Sequence, residues 1–189
     1  MSQLKGLAFK DGDVPQAREG AIEVHEAQPK GSGPSFPPIS VPACQPLIDI
    51  RNGEGSFAHV FQIFNWKENL WGGASTLASY EDNEAKKHFA ELKRALAACR
   101  SYEGEGWVGK FRATVATEAP PPVGDEALAF REIIPQGPEQ PGDRNEQFIV
   151  VRTGNAIVTF SMLDVGKSSS FPTELVSRQV ERLRTAQHL

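Results

Sequence analysis

The sequence has no excess of positive charge. Its 189 residues include 20 Lys and Arg against 24 Asp and Glu, which gives a formal net charge of −4 at pH 7. The basic residues are also scattered, and no block of them stands out. Since proteins bind nucleic acid chiefly by placing Lys and Arg against phosphates, the sequence predicts no nucleic-acid partner.

Long apolar runs and a signal peptide are missing as well. A helix that spans a membrane needs about 20 consecutive apolar residues, and no run approaches that length. The start, Met-Ser-Gln-Leu-Lys-Gly, has neither the apolar stretch nor the cleavage site of a secretory signal. Two interpretations stay open: a cytoplasmic protein that begins at Met1, or an exported domain whose signal and lipid anchor have been removed. In the second case, that removed anchor would be its contact with the membrane.

Motifs for catalysis and metal binding are also absent. The sequence has no Gly-x-Ser-x-Gly, His-Glu-x-x-His or Gly-x-x-x-x-Gly-Lys-Ser/Thr motif. Its four histidines show no metal-ligand spacing: His25, His59, His88 and His188. Glu23 shares a predicted strand face with His25 and could work with it as an acid–base pair, although two surface residues of an edge strand are the favoured interpretation. We therefore expect no catalytic residue, no metal and no organic cofactor.

Cysteine is scarce, and the two residues present leave two interpretations. Cys44 and Cys99 are too few for a zinc site without histidines, and their spacing is not that of a Cys-x-x-Cys redox motif. A single pair far apart in sequence suits one structural disulfide in an oxidising compartment. The alternative is two buried free thiols.

What the sequence does contain is a set of short alternating segments and two strongly periodic helices. Length and a hydrophobic content of 39% suit one domain, residues 1–189, with its own core. Alternation predicts seven strands: 20–26, 57–66, 70–80, 107–117, 126–134, 148–152 and 156–162. Periodicity predicts helices over 44–50, 81–100 and 172–187. With few βαβ units, this order indicates an α+β fold with a single antiparallel sheet of about seven strands and helices packed on it.

Local signals refine the long central helix and the loops. Asp82 is the predicted N-cap of this helix, and Cys99 falls on its buried face one turn before its end. Gly104 and Gly106 are expected to stop the helix. Five prolines between Pro29 and Pro42 predict an extended surface loop.

The order of several motifs resembles a known family. They are Leu77-Ala-Ser-Tyr80 before a helix that ends Ala97-Ala-Cys99, then Val123-Gly-Asp-Glu-Ala127, Ile149-Val-Val-Arg-Thr-Gly-Asn-Ala-Ile-Val158 and Pro172-Thr-Glu-Leu-Val-Ser-Arg-Gln-Val180. The resemblance extends over nearly the whole chain. The sequence resembles the sensor domain found in actinobacterial lipoproteins and outside the membrane in PknH-family Ser/Thr kinases.

The resemblance implies a sheet flanked by helices, an apolar cleft, and a role in sensing or ligand binding outside the cell. It carries no catalytic residue over to this chain. The kinase sensor domain has two disulfides, whereas this chain can form only one. With the exported family in mind, we predict that Cys44 and Cys99 are bonded.

Aromatic and basic residues supply the candidate ligand contacts. We predict that four aromatic residues line the apolar cleft: Phe64, Trp66, Trp107 and Phe111. The alternative is that these residues form the core. Arg131 and Arg152 could hold an anionic ligand group if they share a face of the sheet, although ion pairs with the surplus acids would equally explain them.

These observations favour one function over two others. We expect a non-catalytic extracellular sensor domain, anchored as a lipoprotein, whose partner is a small apolar ligand or a cell-surface protein. One alternative is an enzyme on the same scaffold that steers a reaction by shape, such as a natural-product cyclase. The other is a protein-interaction domain that uses a sheet edge or the Pro-rich loops.

Overall fold

An antiparallel sheet of eight strands organises the computed structural model, which describes residues 2–26, 39–106, 109–137 and 142–187. Most of the predicted Pro29–Pro42 loop lies outside these residues. The strands are β1 (Ala17–Glu26), β2 (Ala58–Trp66), β3 (Gly73–Ser79), β4 (Ser101–Gly106), β5 (Gly109–Glu118), β6 (Glu126–Ile134), β7 (Arg144–Thr153) and β8 (Ala156–Val165). The helices are α1 (Ser2–Leu7), α2 (Gln45–Asp49), α3 (Glu84–Ala98) and α4 (Thr173–Ala186).

The strand order is β1-β2-β3-β8-β7-β6-β5-β4, and every neighbouring pair is antiparallel. The chain builds one edge with β1 to β3 and then crosses the sheet through α3. It continues at the opposite edge with β4 and returns strand by strand until β8 pairs with β3. The predicted α+β class with a single antiparallel sheet is confirmed.

The eighth strand, β4, corrects the predicted end of the central helix. Gly104 and Gly106 do not stop α3; they belong to an edge strand that begins three residues after the helix ends. Gly104 lies opposite Phe111, and a Cβ on this glycine would meet the Phe111 ring at 2.7 Å. The strand thus tolerates its glycine because a neighbouring aromatic ring covers it.

α3 is shorter than the predicted helix 81–100, by three residues at its start and two at its end. The N-cap is Asn83 rather than Asp82, and Asp82 has a left-handed backbone with φ 46°. An aspartate tolerates that conformation better than most residues. Cys99 is the extended residue directly after the helix, with φ −78° and ψ 124°, instead of lying one turn inside it.

One face of the sheet is covered by α1 and α4. Leu175, Val176 and Leu183 project from α4 onto the sheet, where they meet Val158 and Phe160 of β8. This face holds the larger aromatic cluster of the protein, which is made of Phe9, Phe64, Trp66, Phe160 and Phe171. We call it the α4 face.

The opposite face, the α3 face, is covered by α2, α3 and the short 3-10 turns on either side of α2. Phe89 and Leu92 of α3 pack there with Phe130 and Val150 of the sheet. Cys44 ends the first 3-10 turn, Pro42–Cys44, and is bonded to Cys99 after α3. The predicted disulfide is therefore confirmed, and it fixes α2 to the end of α3. None of the described helices has the length and apolar character needed to cross a membrane.

Removing the disulfide should destabilise the domain strongly. The cysteines are 55 residues apart, so the loop-entropy model predicts that the variant C44A/C99A loses roughly 4 kcal/mol of unfolding free energy. Urea titrations of the variant and the wild type measure the difference. A loss below about 1 kcal/mol would show that other contacts hold α2 against α3.

Candidate functional site

Two of the predicted cleft residues belong to the core. Phe64 is 0% exposed and Trp66 is 3% exposed. Their rings stack with centroids 5.3 Å apart, and the Phe171 ring meets each of them edge-on at 5.5 Å. Because α4 and the segment before it cover both rings, neither residue offers surface to a ligand in this conformation.

Phe111 lies on the other side of the sheet. It is half-buried on the α3 face, where its ring meets Tyr102 edge-on at 6.2 Å. Side chains alternate between faces along a strand, and the register puts Phe64 and Trp66 on the α4 face but Phe111 on the α3 face. These residues therefore do not line a common cleft. Trp107 lies outside the described residues, as does His188, and so do the side chains of Glu23 and His25 on β1.

Arg131 and Arg152 also point to opposite faces, so they do not form one anion site. Arg152 lies on the α3 face, where its guanidinium binds Glu126 at 2.9 Å and Asp125 at 2.9 Å. Arg131 lies on the α4 face and donates from Nε to Glu118 at 2.5 Å. Each arginine thus has the acidic partners that the alternative interpretation named.

The Arg131 network ties the segment between β8 and α4 to the sheet. Arg131 also donates to the Ser169 carbonyl at 3.1 Å, and the backbone N–H of Phe171 donates to Gln147 Oε1 at 3.0 Å. Burial acts to raise the pKa of Glu118, but hydrogen bonds from Arg131 and Gln147 outweigh it and hold this pKa below its ordinary value. The network orders the start of α4.

A second buried network, on the α3 face, was missed by sequence reasoning. Arg51, in the 3-10 turn Ile50–Asn52 after α2, forms an ion pair with Glu132 of β6. Tyr102 of β4 donates to the same carboxylate at 2.7 Å. The guanidinium carbon lies 3.9 Å from the centre of the Phe148 ring. We call Arg51, Glu132, Tyr102 and Phe148 the Arg51 cluster.

Electrostatics keep the Arg51 guanidinium charged and the Tyr102 hydroxyl protonated. Burial by itself would lower the pKa of Arg51, but the Glu132 carboxylate more than offsets it, so the guanidinium stays charged. Burial raises the pKa of the Tyr102 phenol above its ordinary value, so the hydroxyl remains a donor. The Arg51 side chain keeps 19% exposure, whereas Glu132 keeps 4%. Arg51 is therefore the part of the pair that reaches solvent, and Tyr102 supplies the one hydroxyl of the cluster.

No short motif could have revealed this cluster. Arg51 and Glu132 are 81 residues apart in sequence. Phe130 and Ile134, which lie two residues before and after Glu132 on the same strand face, are apolar, and this is the one local signal that a carboxylate is buried there. Its partner depends on how the disulfide-bonded α2 segment lies on the sheet, and that placement is a property of the tertiary fold.

Two of the depressions in the described surface lie away from the predicted residues. A shallow groove of about 470 Å³ lies between Leu7 of α1 and the outer side of α4. A smaller cavity of about 100 Å³ lies beside α2 and α3 and is lined by Pro46, Asp49, Ile50, Glu54, His88 and Glu91. Among the side chains that the structure describes, no group of three or more His, Cys, Asp or Glu is arranged to hold a metal ion.

Comparison with known proteins agrees with the architecture. No family model matches the sequence, and no curated protein matches it. The helix-covered antiparallel sheet, with its disulfide, defines an α+β domain. It is similar to the crystal structure of the extracellular domain of PknH from Mycobacterium tuberculosis, with a TM-score of 0.67 and 13% identity over 100% of this chain and 96% of that one. The fold is therefore that of a PknH-like sensor domain, as the sequence resemblance predicted.

A second solved structure is less similar to this chain. The Rv0999 ortholog from Mycobacterium smegmatis gives a TM-score of 0.41 at 16% identity, over 99% of this chain and 93% of that one.

Breaking the Arg51 cluster should be costly. R51A leaves Glu132 buried without its cation, so we expect a loss of about 3–5 kcal/mol of unfolding free energy. The double variant R51M/E132L removes both charges and should recover most of that loss. The control E181A removes a carboxylate from an exposed pair with Arg184 and should change stability by less than about 1 kcal/mol. Equal stabilities of R51A and wild type in urea titrations would contradict the buried pair.

Proposed function

We propose that this domain is an extracellular sensor domain that binds a ligand non-covalently and does not catalyse a reaction. The observation that carries the proposal is the likeness to the extracellular domain of PknH, which extends over the whole chain. The native protein is proposed to be held at the outer side of the membrane as a lipoprotein.

The disulfide supports an oxidising compartment. Cys44 is 0% exposed and Cys99 is 2% exposed, so the bond is enclosed between α2 and α3. Reducing agents of the cytosol keep most thiols of folding chains reduced, whereas exported proteins form such bonds while they fold. A buried bond that fixes two helices is typical of a structural disulfide in an exported domain.

For the ligand, we propose an apolar molecule with an anionic group that contacts the α3 face beside the Arg51 cluster. Phe111 and Ile134 are half-buried there. Tyr102 links Phe111 to Arg51, since it contacts the Phe111 ring and shares the Glu132 carboxylate with the guanidinium. An aromatic and aliphatic surface next to a charged guanidinium suits an amphiphilic ligand.

The location can be tested in cells that produce the native protein. We expect protease added to intact cells to digest the domain while a cytosolic marker survives. Thiol-reactive maleimide should not label Cys44 or Cys99 unless the protein is first unfolded and reduced. A domain that resists protease until lysis, with two free thiols, would contradict the extracellular assignment.

The ligand site can be tested with 1-anilinonaphthalene-8-sulfonate, an apolar ring system with an anionic group. We expect the folded domain to bind this probe, and F111S or I134S to weaken binding by roughly fivefold or more. The control F57S removes an aromatic ring that is 69% exposed elsewhere and should leave binding unchanged. If F57S weakens binding as much as F111S does, the probe reports general surface hydrophobicity and this site is wrong.

A further inference from the structure

β1 is one of the two edge strands of the sheet, and β4 is the other. At the β4 edge, the backbone N–H of Ser40 donates to the Glu103 carbonyl at 2.8 Å, and the Glu103 N–H donates to Ser40 Oγ at 2.8 Å. Among the residues that the structure describes, no segment pairs in this way with the outer side of β1. An uncovered strand edge presents backbone N–H and C=O groups that another strand can bind.

The regular part of this edge is the stretch 22–26. Its five residues pair with residues 60–64 of β2 in an unbroken register, whereas the register shifts between Ala17 and Ile22. Natural edge strands are commonly protected by proline, lysine or a bulge. The stretch 22–26 contains neither proline nor lysine, and the irregularity lies before it. Ile22 and Val24 are half-buried against the core of the α4 face, so apolar side chains continue up to the edge.

A second copy of the chain offers a strand that matches this edge. Two copies of one strand pair antiparallel when a twofold axis runs perpendicular to the sheet between them. All five residues of the stretch 22–26 find a partner within that stretch only when the axis passes its middle residue, Val24. Val24 then lies opposite its own counterpart on the α4 face, where the two side chains contact each other. Ile22 lies opposite Glu26 at the two ends of the pairing.

The same axis brings complementary residues together on the other face of the sheet. It sets position 23 of each copy opposite position 25 of the other, and the sequence has Glu23 and His25 there. A carboxylate and an imidazole in directly opposed positions stabilise a strand pair, because they can form a hydrogen bond. An axis at position 23 would instead set Glu23 against its own counterpart, and like charges in opposed positions are destabilising. The register with the most backbone pairs therefore also has complementary side chains.

From this match we propose that the domain forms a twofold-symmetric dimer in which the β1 edges of two copies pair through residues 22–26. The dimer leaves the proposed ligand surface open, because Phe111 lies on β5, next to the opposite edge strand of the sheet. A single strand pair is smaller than a standard protein interface. We therefore expect a reversible dimer with a dissociation constant on the order of 10 µM.

Sedimentation velocity of the full 189-residue chain measures the dimer. We expect the wild type to change from monomer to dimer between about 1 and 200 µM. H25E sets two carboxylates opposite each other at both pairs and should weaken the dimer about tenfold. The exchange variant E23H/H25E restores a glutamate–histidine pair at each place and should dimerise like the wild type. The control T114E adds one negative charge at an exposed position of β5 and should also dimerise like the wild type.

Cysteine crosslinking tests the register itself. V24C sets two thiols opposite each other across the axis, so mild oxidation should give a covalent dimer on a non-reducing gel. I22C is the matched control, because residue 22 is on the same face and is also half-buried. Its counterpart lies four residues away along the second strand, or roughly 13 Å, which is too far for a disulfide. The proposal is overturned if the wild type stays monomeric up to about 200 µM. It is also overturned if I22C crosslinks as readily as V24C, or if H25E dimerises as strongly as the wild type.

Discussion

The pairing of β3 with β8 holds the two halves of the sheet together. It joins the third strand of the chain to the last one in an unbroken register from Gly73 opposite Met162 to Ser79 opposite Ala156. For this pair to form, the chain must leave β3, cross to the far edge of the sheet and return through four antiparallel neighbours. α3 makes that crossing, and the disulfide between Cys44 and Cys99 fixes its end beside α2. The position of the Arg51 cluster follows, because Arg51 comes two residues after α2.

Burial of the central strands on both faces explains where the aromatic side chains lie. β8 is buried from Ala156 to Met162 without a break, since α4 covers one face of it and α3 the other. An aromatic residue on a strand covered in this way goes into one of the two cores, as Phe160 of β8 and Phe148 of β7 do. Among the described residues, half-buried or exposed apolar side chains remain toward the β4 edge of the sheet, as with Phe111, and at the strand connections, as with Leu70 and Trp71. Function in this fold is therefore expected at the periphery of the sheet.

Local patterns predicted those parts of the fold in which local and tertiary preferences agree. The strand over 126–134 matches β6, the Gly154-Asn155 turn joins β7 to β8, and the last helix begins after Pro172. β4 was not predicted because its glycines and glutamates have low strand propensity. Gly104 fits in the strand because the Phe111 ring of the next strand covers it, and that contact is not visible in the local sequence. The candidate site was harder to predict still. Alternation along one strand cannot say which face α4 covers, so it could not separate Phe64 from Phe111.

The two buried networks also specify the register of the sheet. Arg131 and Glu132 are consecutive on β6, and they bind partners on opposite faces: Glu118 on the α4 face and Arg51 on the α3 face. A slip of β6 by one residue would turn each charge toward the wrong face and leave it buried against the opposite core. A slip by two residues would restore the faces but would separate both pairs. Apolar packing alone discriminates weakly between such registers. A two-residue slip would put Ala129 in the place of Ala127 and Phe130 in the place of Leu128, so both faces would still receive apolar side chains. The paired charges remove that ambiguity. They lie on β6, the strand whose Arg131 binds the β8–α4 connection and whose Ile134 belongs to the proposed ligand surface.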